Sequence, residues 1–233
     1  MDLTASKLQA KYSSTCPKCK VRGHWDPGCD CNKLALWEFH IQRANIPPKY
    51  RDKDFKDFVE QNQLAYQKVT DYCKHLKSAK SKGIGIYFVG PSGTGKTLLA
   101  CSILKEAVRQ GYTGYFGFLS SIIVTINDEF FRKKSGDTFG RIKTCDFLVI
   151  DEIEKIYKSD SGYVDALFDE LIRTRDFDNL PVIMTSNVTM DRLESVHGKS
   201  VCSMLTEKLI EIPLVGPDFR KLIATTLEGE LKS

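Results

Sequence analysis

Apolar positions along this chain fall into two periods that take turns. The runs at 84–90, 113–119, 145–150 and 180–187 are short and rich in Ile, Val, Leu, Phe and Tyr. Such runs read as strands buried on both faces of a parallel sheet. Between them, apolar residues recur at three- and four-residue spacing. Leu99, Ile103 and Ala107 mark a helix over 96–110 that Gly111 closes. Ile122, Ile123, Ile126 and Phe130 mark a second helix, ending in Arg132-Lys133-Lys134, and Val164, Leu167, Phe168, Leu171 and Ile172 mark a third over 163–174. A last strand is expected over 210–215, with Pro217 fitting the first turn of a closing helix. Strand and helix alternate throughout, which predicts an α/β fold with a five-stranded parallel sheet.

Ahead of this region, Leu34, Trp37 and Ile41 give a helical stripe over 32–45, and a further helix is expected over 62–80. Ile46-Pro47-Pro48 separates the two, because proline lacks the donor N–H and clashes with helical backbone. The expected organisation is a small module over 1–46, a linker and leading helix over 47–82, and the main domain over 83–233.

With 42% hydrophobic and 27% charged residues in a chain of 233, composition is that of a soluble globular protein. The net charge of +4 permits contact with nucleic acid without arguing for it. No apolar run approaches the roughly 20 residues that span a bilayer. No basic-then-apolar signal pattern opens the sequence, so a cytoplasmic protein without membrane contact is expected. Cysteine usage sharpens the picture. Four of the 8 cysteines lie between Cys16 and Cys31, and the others are scattered singly. Cys16-Pro-Lys-Cys19 faces Cys29-Asp-Cys31, a set of four thiolates suited to tetrahedral, structural Zn²⁺. His24, between the pairs, could replace one thiolate. Unliganded thiols in a tail are the alternative.

The densest chemistry comes directly after the first strand. Gly90-Pro91-Ser92-Gly93-Thr94-Gly95-Lys96-Thr97 fits G-x-x-x-x-G-K-[ST] between a strand and a helix, the context that makes it a phosphate-binding loop. Glycines let backbone N–H groups turn inward, and the helix brings its positive end to the anion. Lys96 is expected to reach the β- and γ-phosphates of ATP, and Thr97 to bind Mg²⁺. The strand at 145–150 runs into Asp151-Glu152, where Asp151 would hold Mg²⁺ and Glu152 would orient and deprotonate the attacking water. Asn187, ending the next strand, could reach the γ-phosphate or that water. Arg220 would project from the closing helix.

Taken together, these residues resemble the DnaC/DnaI-type replicative helicase loaders of the AAA+ ATPases. The resemblance runs from the paired cysteines with Gly23-His24-Trp25, through Ile46-Pro47, the phosphate-binding loop, Leu148-Val-Ile-Asp-Glu152 and Pro181-Val-Ile-Met-Thr-Ser-Asn187, to Gly216-Pro-Asp-Phe-Arg220. It implies that Asn187 is the sensor-1 residue and Arg220 the sensor-2 residue. It also implies an ATPase that self-assembles and places a hexameric replicative DNA helicase on single-stranded DNA, with the zinc module gripping the helicase. Relatives carry Ser-Arg-Leu where this chain has Ser203-Met204-Leu205. Either Lys199, Lys208, Arg192 or Arg175 replaces that arginine, or hydrolysis is weak and binding is the switch. Two other readings share these features: an IstB-type transposition ATPase, and a nucleotide-gated adaptor or inhibitor of a helicase.

Overall fold

The computed structural model describes residue 20 and residues 30–55, 62–131, 137–155 and 162–219. In chain order, α1 (Asp30–Arg43), α2 (Pro48–Arg51), α3 (Gln63–Lys74) and α4 (Leu76–Lys82) lead into β1 (Gly85–Val89) and α5 (Lys96–Arg109). They are followed by β2 (Gly114–Phe118), α6 (Leu119–Phe131), α7 (Thr138–Thr144), β3 (Phe147–Asp151) and α8 (Tyr163–Phe177). Last come β4 (Val182–Ser186), α9 (Met190–His197), α10 (Lys199–Lys208) and β5 (Leu209–Pro213).

The strands form one parallel sheet in the order β2-β3-β4-β1-β5. Because β1 lies between β4 and β5, the loop leaving it opens beside the end of β4 at the sheet's carboxyl edge, where ligands of such sheets gather. The near-continuous apolar runs are buried on both faces, as a parallel sheet under helices requires. Ile86, Phe88, Phe147, Val149 and Ile183 pack against α1, α3 and α5. Tyr87, Leu148, Ile150 and Met184 alternate with them and face α6 to α10.

The sheet's β2 edge is closed by the segment after α1. The Phe116 N–H donates to Ala44 O and the Asn45 Nδ2 to Phe116 O, both at 2.8 Å. This occupies a polar edge that would otherwise be open to pairing. The chain can turn there because Asn45 sits at φ +56°, while the Ile46 N–H closes back on Ile41 O in a left-handed helix cap. Ile41, Ala44 and Ile46 enter the same core as β1 and α5. Lys105 of α5 secures the chain through and just past α2. Its buried Nζ donates to the carbonyls of Tyr50 at 2.9 Å and Arg51 at 3.4 Å, and also to that of Lys53.

Several elements depart from expectation. The helix expected over 62–80 is two, α3 and α4, broken at His75 (φ −113°, ψ 24°). Pro47-Pro48 does break the preceding helix, yet Pro48 then starts the single turn α2, where its missing N–H costs nothing. α7, α9 and α10 were not expected at all. Phe130 and Arg132-Lys133-Lys134 have side chains outside the described residues.

Candidate nucleotide site

Backbone conformation shapes the loop first. Gly90 sits at φ +154°, and a Cβ there would lie 2.1 Å from Leu214 O. Its neighbours fix it: the Gly90 N–H donates to Ser186 O at 3.2 Å and the Leu214 N–H to Val89 O at 2.7 Å. Gly93 (φ +80°) admits no side chain either, because a Cβ would fall 1.8 Å from Oδ1 of Asp218. The Phe219 N–H donates to Gly93 O at 3.1 Å, so residues 218–219 lie directly on the loop. Thr94 is buried with its Oγ1 on Pro91 O at 2.8 Å. Gly95 is the N-cap of α5, whose open N–H groups and dipole suit an anion.

Lys96, the first residue of α5, is 8% exposed. Its Nζ donates to Gly90 O at 2.6 Å, Pro91 O at 2.7 Å and Asn187 Oδ1 at 2.9 Å. Ser92 Oγ donates to the same Asn187 oxygen at 3.4 Å. β1, α5 and β4 thus bring Lys96, Ser92 and Asn187 to one point.

The next residue joins the third strand. Thr97 Oγ1 lies 3.0 Å from each carboxylate oxygen of Asp151, the buried last residue of β3. Thr185 Oγ1 donates to Asp151 Oδ1 at 2.5 Å and accepts the Glu152 N–H at 3.1 Å. Burial pushes the Asp151 carboxyl above the usual carboxylate range, against the pull of the Thr185 and Thr97 hydroxyls. A hydroxyl and a carboxylate side by side are hard oxygen donors, the ligand chemistry of magnesium. The residues present therefore fit the ion.

Glu152 turns out of the strand at φ +57°, a conformation that costs a β-carbon-bearing residue about 1 kcal/mol or more. The turn carries its carboxylate to Lys155 Nζ at 2.7 Å, with both side chains partly exposed. Ile153, next in the loop, is held from two sides. Its N–H donates to Thr185 O at 3.1 Å, and its carbonyl accepts Nε2–H of buried His197 at 2.8 Å.

Sequence reasoning missed Glu154 and Thr185. Glu154 Oε1 accepts from Nδ2 of Asn187, which makes it the far end of a chain starting at Lys96. The available signal was a second acid, two residues past Glu152, in the same short loop. Thr185 was visible only as a polar residue in an apolar strand.

The cations proposed to replace the missing arginine divide sharply. Arg175 is fully buried and cannot act on another subunit. Its guanidinium donates to the carbonyls of Ile142 (2.9 Å), Lys143 (3.1 Å), Cys145 (3.0 Å) and Pro181 (2.9 Å). The helical spacing Phe168, Leu171, Ile172, Arg175 puts it on the inward face. The cation that does stand beside Met204 is Arg173. It is half-exposed, with Nε on Asp169 at 2.7 Å, Nη2 on Ser200 at 2.9 Å and Nη1 3.9 Å from Met204 Sδ. Arg220 and the cysteines Cys16, Cys19 and Cys29 lie outside the described residues, as does the side chain of Cys31. Among the described residues no cluster of His, Cys, Asp or Glu could hold a metal ion on its own. Cys73, Cys101, Cys145 and Cys202 are single buried thiols.

The chain is similar to known proteins of two kinds. An IS21-like ATP-binding protein of an insertion sequence in Bacteroides fragilis is 27% identical over 149 residues, 64% of this chain and 71% of that protein. The replicative helicase loader DnaI of Bacillus subtilis is 25% identical over 157 residues, covering 66% of this chain and 49% of that one. This chain thus spans about half the length of DnaI. The crystal structure of the DnaC helicase loader shares the fold, with a TM-score of 0.66 at 22% identity over 72% of this chain and 100% of that chain. The family model of IstB-like ATP binding proteins matches residues 38–211. That span runs from within α1 to within β5 and takes in Lys96, Thr97, Asp151 and Asn187. The chain belongs to the IstB-like ATP-binding proteins, and it shares its fold with the DnaC helicase loader.

Proposed function

We propose that this protein is an ATPase whose output is assembly, loading a replicative DNA helicase onto single-stranded DNA. The observation that carries the nucleotide half is the convergence of Lys96, Thr97, Asp151 and Asn187 from two strand ends and one helix N-terminus. Lys96 and the N–H groups of the loop take the β- and γ-phosphates. Thr97 and Asp151 hold Mg²⁺, which, when bound, neutralises charge on the phosphates. Glu152, released from Lys155, orients the attacking water and accepts its proton, while Asn187 contacts the γ-phosphate. Arg220 adds a cation from the closing segment.

The loader half is supported by the relationship to DnaI and by the paired cysteines Cys16, Cys19, Cys29 and Cys31, read as a zinc module that grips the helicase. In this reading the protein works in the cytoplasm as a nucleotide-dependent ring or spiral of copies. The relationship to the IS21-like protein favours a second reading, an ATPase of transposition. A pull-down from bacterial extract with ATP, beside a Cys29→Ser/Cys31→Ser variant, separates the two. The loader reading expects the replicative helicase with the wild type only. Capture of a transposase, or of neither protein, would overturn it.

A further inference from the structure

Between Lys96 and Glu154 the Asn187 amide has no freedom of orientation. An ammonium only donates and a carboxylate only accepts. The amide therefore turns its oxygen to Lys96, at 2.9 Å, and its Nδ2 to Glu154 Oε1. Glu154 is well placed to enforce this. Its loop is pinned through Ile153 by Thr185 and His197. Its other oxygen, Oε2, is buried and has no hydrogen-bond partner among the described residues. A partly buried carboxylate with one oxygen already unmatched depends strongly on the bond it does make.

This orientation is wrong for a γ-phosphate. A phosphate arriving at Lys96 meets a carbonyl oxygen of Asn187, acceptor against acceptor, and competes with it for the ammonium. To donate to the phosphate the amide must turn over, and its oxygen then faces the Glu154 carboxylate, again acceptor against acceptor. The conflict concerns only a phosphate that reaches Asn187. A diphosphate, gripped by the loop N–H groups and Lys96, leaves the Asn187–Glu154 bond in place.

We infer that Glu154 is a specificity-determining residue that holds Asn187 in the orientation adverse to a γ-phosphate, and so sets how strongly the site prefers a nucleoside triphosphate over a diphosphate. The inference rests on the nucleotide-site reading above. Glu154→Gln tests it, because a glutamine amide can donate to the Asn187 oxygen and leave Nδ2 free for the phosphate.

The measurement is the affinity of the full chain, with Mg²⁺, for ADP and for the non-hydrolysable β,γ-methylene analogue of ATP. The readout is the ratio of the two affinities. In E154Q the ratio shifts toward the triphosphate by about tenfold, the scale of one hydrogen bond to a charged group. Removing a negative charge also favours a triphosphate, so the same substitution is made in an Asn187→Ala background. There the shift disappears if it acts through the amide. An unchanged ratio in E154Q, or an equal shift with and without Asn187, would overturn the inference. A Lys96→Ala control keeps the two claims apart. If K96A binds both nucleotides as the wild type does, the site reading fails. If K96A loses binding and the E154Q ratio is unchanged, only the role of Glu154 fails.

Discussion

His197 shows how a single side chain outside the phosphate-binding loop can support the site. Its ring packs on Phe168 with centroids 4.4 Å apart, and its Nε2–H holds the carbonyl of Ile153, next to Glu152. That bond leaves Nδ1 bare in the neutral ring, 3.8 Å from Asp165 Oδ1. Burial lowers the pKa of this imidazole and outweighs the opposing effects of the Ile153 carbonyl and Asp165. As pH falls through about 6.5, the unfolded chain takes up the proton first, so stability is full above that value and is lost below it. Denaturant melts of wild type and His197→Gln from pH 7.5 to 5.5 check this. The wild type should lose stability more steeply toward low pH than H197Q, and parallel profiles would contradict it.

At the scale of elements, the phosphate loop was legible because its chemistry is local. Glycine, lysine and threonine at fixed offsets, between an apolar strand and a helix, leave little else to form. The parallel sheet was legible for a related reason, since β1, β3 and β4 are apolar on both faces. α9 and α10 were not, because residues 188–208 mix polar and apolar positions and only Leu193, Val201, Cys202 and Leu205 of their apolar residues turn fully inward. The break at His75 carries no Gly or Pro to announce it. Arg175 looks like a surface cation by residue type, and only its helical spacing says otherwise. It ties α7, α8 and the start of β4 together by answering four main-chain carbonyls. Arg175→Leu strands those carbonyls and should lower unfolding free energy by about 3 kcal/mol or more. An unchanged denaturation midpoint would show that the carbonyls find other donors.

For the whole molecule, sheet order decides where chemistry can occur. Placing β1 between β4 and β5, with β3 beyond β4, brings the loop, Asp151 and Asn187 to one edge and leaves the helices to bury the faces. Asp218 and Phe219 then lie against that edge, both on Gly93. Among the described residues no helix is long and apolar enough to cross a membrane. No pattern in the sequence could supply the Lys96–Asn187–Glu154 chain, because it joins three separate segments through side-chain orientation. Beneath it lies the binding of ATP at this loop through Lys96. Calorimetric titration of Mg²⁺·ATP into wild type and Lys96→Ala measures this binding. Loss of an ammonium that holds two phosphates should weaken binding by about a hundredfold or more. Equal affinity in the two proteins would place the nucleotide elsewhere.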